Sequence, residues 1–200
     1  MTELATGRRE RTKAANGAAL IEAARDVFGE LGFEAVGVRD IVRRTDLASG
    51  TFYNYFPDKG AVFRALVEET GAEARRRVRA ARREAGTAEA FVEDSYRAFF
   101  EFIVEDPDRF AFLRSNLSAL PPEFGEAVLP ATTRELAEDL RDAVAAGLLP
   151  PLDVDYCAHA MIAVAIELGA RMADRDPPDV EGATAFAATL FLGALTRPVR

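Results

Sequence analysis

The 200-residue chain carries 33 acidic against 25 basic residues, a net charge of −8, and its 49% hydrophobic content is ample for a packed core. One cysteine, Cys157, excludes an internal disulfide, and one histidine, His159, excludes sites that need two imidazoles. The N-terminal MTELATGRRERTKAA has no apolar run behind its basic residues, unlike a signal peptide. The longest apolar stretch, 156–173, holds His159, Glu167 and Arg171 and falls short of a membrane span, so a cytoplasmic protein is expected.

Helical periodicity dominates, and nothing alternates as a strand does. Leu20, Ala24, Val27, Phe28 and Leu31 form the stripe of a first helix over about 12–31, with Gly32 as its C-cap. Val38, Ile41 and Val42 mark a short second helix at about 38–45, TDLAS is a turn, and a third helix covers about 49–55. Pro57-Asp58 opens a fourth that runs to about 84, and Gly86-Thr87 separates the two halves. Phe91, Tyr96, Phe99, Phe100 and Ile103 carry a fifth helix. Asp106-Pro107 caps a sixth that ends near Leu117, and SALPPEFGE is a loop or broken turn. Three more helices cover about 130–147, 153–174 and 179–196, the last two split by Asp176-Pro177-Pro178. The expected fold is all-α, with about nine helices.

Charge is unevenly spread. Residues 1–83 hold 16 basic and 12 acidic residues, net +4, and residues 84–200 hold 9 and 21, net −12. Different jobs for the two halves are expected. The run Arg75, Arg76, Arg77, Arg79, Arg82, Arg83 is either a solvated helix face or part of a basic surface.

The segment ASGTFYNYFPDK, 48–59, concentrates aromatics beside Gly, Thr and Asn. At about 100° per residue, Phe52 and Phe56 share one face of the third helix, while Gly50 and Asn54 point away from it. With the phenylalanines buried against Val38, Ile41 and Leu47, an outward face of small and hydroxyl-bearing residues remains. Gly50 lets a surface approach, and Thr51, Tyr53, Asn54 and Tyr55 can donate to phosphates or base edges. A short helix, a tight turn and a helix with such a face make a helix-turn-helix whose second helix enters a DNA major groove.

The run LGFEAVGVRDIVRRTDLASGTFYNYFPDK, 31–59, resembles the signature of the TetR family of bacterial transcription regulators, with the match extending over roughly 14–75. The resemblance rests on Gly32-Phe33, Val38, Ile41-Val42, Leu47 through Phe56, and Lys59. It implies a flexible basic arm at 1–13 (Arg8, Arg9, Arg11, Lys13), a DNA-binding domain at 14–75 with its helix-turn-helix at about 37–56, and a helical effector-binding and dimerisation domain at 76–200. It places Ala48, Ser49, Gly50 and Thr51 against bases or phosphates, Tyr53 and Tyr55 on phosphates, and Arg39 and Lys59 on the DNA backbone. Three departures stand out. No Thr or Ser caps the second helix near Val36-Gly37, which leaves that cap to another group. Ala48 replaces a common Ser, with Ser49 as the alternative cap. Gly60 stands where an acidic residue is usual.

In the acidic half, seven of fourteen phenylalanines lie between Phe91 and Phe124. They read either as dense core or as an apolar effector pocket, with Tyr96, Phe99, Phe100, Ile103, Phe110, Leu113, Arg114, Leu117, Met161 and Ala165 as candidate lining. The resemblance implies a repressor released from a palindromic operator by a small apolar effector. A regulator controlled by a protein partner, without a small ligand, is the alternative. The helices at 153–174 and 179–196 are apolar on more than one face, and small residues along them let backbones approach. A homodimer through a four-helix bundle is expected, with Met161, Val164, Leu168, Ala187, Leu190, Phe191 and Ala194 at the interface. Two copies would also supply the two half-sites that one helix-turn-helix needs. Cys157 and His159 read as core or interface packing. No metal, cofactor or catalytic constellation is expected.

Overall fold

A computed structural model describes residues 2–107, 109–110 and 128–195, with the backbone alone for 2–10, 128 and 194–195. Among these residues all regular structure is helical: α1 Thr2–Leu31, α2 Val38–Val42, α3 Ser49–Phe52, α4 Lys59–Glu84, α5 Ala88–Glu105, α6 Val128–Ala145, α7 Val154–Ala173 and α8 Val180–Leu195. The all-α expectation holds. Pro107, Arg109 and Phe110 are helical, and the remainder of the helix expected at 106–117 lies outside the described residues, as do Leu113, Arg114 and Leu117.

Helix boundaries follow local chemistry. At the end of α1, Gly32 takes φ 77, a left-handed conformation that glycine adopts without a Cβ penalty, and its N–H donates to Phe28 O at 2.9 Å. Asp58, Thr87, Asp106 and Asp153 each accept a backbone N–H three residues on, from Ala61, Ala90, Arg109 and Tyr156, at 2.8–3.1 Å. The N-terminus differs from expectation. Residues 2–13 continue α1 as helix where a flexible arm was expected.

The chain divides into two compact units, and the division falls within α4 between Glu69 and Thr70. In the first unit, Leu20, Ala24, Val27 and Phe28 of α1 meet Ile41 and Val42 of α2, Phe52 of α3, and Val62, Phe63, Leu66 and Val67 of α4 in one buried core. Phe28, Phe33 and Phe63 form an aromatic cluster, with Phe28 and Phe63 edge-on at 5.3 Å between centroids.

The second unit is built on α5. Helix α8 packs along it over a long contact, α7 crosses it, and α6 packs on α7. At the crossing a Cβ on Gly169 would stand 2.5 Å from Ile103 Cδ1, so a larger residue there would require the end of the Ile103 side chain to shift. Four arginines of the α4 run, Arg75, Arg77, Arg79 and Arg82, are ion-paired and at least half-buried, while Arg76 and Arg83 are exposed to solvent. Arg75 pairs with Glu135 at 3.3 Å, Arg79 with Asp139 at 3.2 Å and Glu138 at 3.7 Å, and Arg77 with Glu73 at 2.8 Å and with Glu105. The Arg77 hydrogen bond holds the Glu73 carboxyl below its ordinary range. Arg82 and Asp139, each 8% exposed, are joined through Nε and Nη2 at 2.9 and 2.8 Å.

Removing one member of a buried pair strands the other charge. Asp139→Ala is therefore expected to lower stability by about 3–5 kcal/mol in chemical denaturation, with Arg82→Met/Asp139→Leu recovering most of the loss.

Candidate nucleic-acid interface

The interface candidate is built on the turn between α2 and α3. Helix α2 lacks a Ser or Thr cap, and the substitute is Asp40, whose carboxylate accepts the Gly37 N–H at 2.9 Å. The turn is closed by Thr45, whose hydroxyl donates to Val42 O at 2.9 Å and accepts from Leu47 N at 3.2 Å. Ala48 is the N-cap residue of α3 and has no side chain to cap with. Ser49 is the first helical residue, not the alternative cap expected of it.

Phe52 is 0% exposed, and its ring lies 5.8 Å from that of half-buried Phe56. This anchor turns the opposite face outward. Ala48, Ser49, Gly50 and Asn54 are exposed, Tyr53 is 60% exposed, and Thr51 and Tyr55 are half-buried at the edge. Nothing lies within 4 Å of a Cβ placed on Gly50, so that side of α3 is open. Arg39 is exposed on α2.

Two of the expected DNA contacts have partners inside the unit. Tyr55 Oη accepts a hydrogen bond from Asn16 Nδ2 of α1 at 3.1 Å, with Gly17 against the ring. The hydroxyl proton is left for another acceptor. Lys59, expected on the phosphate backbone, instead donates to the carbonyls of Phe33, Glu34 and Val36 at 2.9, 3.2 and 3.0 Å, with Nζ 4.6 Å from the Phe33 ring centroid. All three ammonium donors are thereby used. Neither contact was legible in the sequence, because both join positions more than twenty residues apart.

Charge does not single out this unit either. Residues 1–69 hold ten basic and eleven acidic residues, net −1, and the excess expected at 1–83 comes from the α4 arginines after Thr70. Any pull on DNA must come from where individual cations sit.

In the second unit Tyr96, Phe100, Ile103, Phe110 and Met161 meet in one buried cluster, with Phe99 and Ala165 against it. The Tyr96 hydroxyl donates to Met161 O at 3.1 Å, and burial raises its pKa. Of the expected dimer residues, Met161 and Ala187 are buried inside their own chain and offer nothing to a partner. Val164, Leu168 and Phe191 are half-buried, and the side chain of Ala194 lies outside the described residues. Leu190 is 47% exposed, and beside it Phe186, absent from the expected set, is 61% exposed. The sequence carries no periodic mark of this face, because α8 is apolar all round. His159 is exposed beside Asp155, not packed, and Cys157 is half-buried, which raises its thiol pKa.

A buried aromatic anchor beneath an open α3 face, behind a short α2 and a tight turn, defines a helix-turn-helix DNA-binding transcription regulator. Residues 20–66 match the family model described as bacterial regulatory proteins, tetR family. The likeness to the TetR family is carried by these residues, which span the helix-turn-helix and the helices on either side of it.

The fold recurs in solved structures. The fatty acid degradation regulator FadR from Bacillus halodurans is 22% identical, over 91% of this chain and 97% of that one, with a TM-score of 0.77. FadR from Bacillus subtilis, solved in complex with stearoyl-CoA, is 19% identical over 90% and 97%, with a TM-score of 0.75. A bacterial regulatory protein of the tetR family from Rhodococcus RHA1 is 20% identical over 92% and 98%, with a TM-score of 0.71. At these identities the likeness is one of fold. Among the described residues no helix is long and apolar enough to cross a membrane.

Phe52→Ala empties the anchor and is expected to cost about 3–5 kcal/mol of stability in the first unit. Asp40→Ala removes the α2 cap together with the exposed 3.9 Å pairing to Arg43 and should cost about 0.5–2 kcal/mol. Chemical denaturation of the two variants checks both values.

Proposed function

We propose that the chain is a cytoplasmic, homodimeric transcriptional repressor that reads a palindromic operator with α3 and leaves it when a small effector binds the helical half. The observation that carries this reading is the outward face of α3, held by the full burial of Phe52. Ser49, Gly50, Thr51 and Asn54 meet base edges, Tyr53 and Tyr55 reach phosphates, and Arg39 grips the backbone beside them.

One such helix touches few base pairs, so affinity and specificity require a second copy. The exposed Phe186 and Leu190 on α8 support dimerisation through that helix and α7. The division of labour follows the chain, with DNA binding in the segment 14–75 and effector binding and dimerisation in 76–200.

The effector reading draws on the aromatic cluster around Phe99, Phe100 and Phe110 and on the stearoyl-CoA complex of the Bacillus subtilis relative. An acyl chain suits an apolar, aromatic lining, and the net acidic second half opposes an anionic head group. An effector releases DNA only by binding the released state better than the bound one. Moving the population from 1:99 to 99:1 takes about 5.5 kcal/mol of differential affinity.

Selection of bound sequences from random duplexes is expected to recover a palindrome. Thr51→Ala should relax base preference at one position per half-site, whereas Tyr55→Phe should weaken all sequences alike. Recovery of no preferred sequence would remove the operator reading. Phe186→Glu/Leu190→Glu is expected to yield monomers in sedimentation and to lose operator binding. Long-chain fatty acid or acyl-CoA should displace the selected duplex in fluorescence anisotropy, and displacement by neither would favour control by a protein partner.

A further inference from the structure

Lys59 opens α4, yet its ammonium is spent inside the protein. Its three donors meet Phe33 O, Glu34 O and Val36 O, in the link between α1 and α2, and the charge rests over the Phe33 ring. Three carbonyls around one ammonium form a socket for a compact cation with tetrahedrally spread donors, and a planar guanidinium does not match it. A phosphate contact by Lys59 would require breaking these three bonds, of which those to Phe33 O and Val36 O are part-buried. Holding the link also fixes the start of α2, since Val36 and Gly37 lie immediately before it and Gly37 is its N-cap.

Helix α2 offers cations in its place. Ile41 and Val42 are buried, so at about 100° per residue Arg39 and Arg43 lie about 40° apart on one exposed flank. Arg44, on the other flank, is paired with Glu30 of α1. The Arg43 side chain is 78% exposed, and its nearest carboxylate, Asp40, stands 3.9 Å away while also accepting the Gly37 N–H. Within residues 1–69, whose net charge is −1, two cations raised together on the first helix of a helix-turn-helix are positioned for the backbone that this helix crosses.

We propose that Lys59 is a positioning residue that clamps the α1–α2 link, and that the phosphate grip on this side of the unit belongs to Arg39 and Arg43 of α2. The proposal rests on the DNA-binding reading and adds Arg43 to it.

The test measures binding of the full chain to a random-sequence duplex across a salt titration, together with amide hydrogen exchange over 33–44, for wild type, Lys59→Met, Lys59→Arg, Arg39→Gln and Arg43→Gln. Removing a single phosphate contact lowers the slope of log K against log salt by about 0.9. Arg39→Gln and Arg43→Gln are expected to show that drop with amide protection unchanged. Lys59→Met is expected to bind more weakly with the wild-type slope and to lose protection in α2, and Lys59→Arg is expected to behave like Lys59→Met although it keeps the charge. A slope drop in Lys59→Met, wild-type binding by Lys59→Arg, or an unchanged slope in Arg43→Gln would overturn the proposal. A wild-type chain that bound no duplex would defeat the DNA-binding reading itself. The exchange data would still decide the clamp, since unchanged protection in Lys59→Met sinks it.

Discussion

The first unit depends on where the side of α3 that carries Phe52 is buried. A four-residue helix has too few hydrogen bonds to hold its own orientation, so tertiary packing must supply it. The Phe52 ring, fully withdrawn from water into the core of α1, α2 and α4, is that packing. Burying such a side chain is worth roughly 1.5–3 kcal/mol relative to leaving it exposed. Once the ring is inward, the exposure of Gly50 follows from helical geometry, and that of Asn54 from the turn that ends α3.

Polar groups around this anchor act on position more than on charge. Asp40 completes the start of α2, Thr45 closes the turn, Asn16 orients the Tyr55 hydroxyl, and Lys59 satisfies the link carbonyls. Asp40, Asn16 and Lys59 each bond a backbone or hydroxyl group of another position, and Thr45 adds a side-chain bond at Val42 O to the backbone one already there. The recognition face is thereby presented by a scaffold whose own polar groups are already occupied, which leaves the outward donors of Thr51, Asn54 and Tyr53 for an external partner.

The second unit uses charge differently. Its acidic excess is partly consumed by the α4 arginines, from Arg75–Glu135 to the buried Arg82–Asp139 pair. A buried pair of this kind adds little net stability over an apolar pair but penalises any register in which it is broken, so it specifies how α4 and α6 meet. At the α5–α7 crossing the contact is one of shape instead, with Gly169 against the end of the Ile103 side chain.

Periodicity, caps and motif spacing determined the helices and the inward turn of Phe52, because these are local properties: 3.6-residue stripes, an Asp or Thr before a helix, a glycine after one. The family was legible for the same reason, its signature being one continuous run. Tertiary structure alone decided the role of Lys59, the partners of the α4 arginines and the burial of Met161 and Ala187. Each depends on which distant group lies opposite, and a helix apolar all round, such as α8, carries no periodic mark of the face it buries. The same limit hid Phe186, whose exposure follows only from how α8 lies along α5.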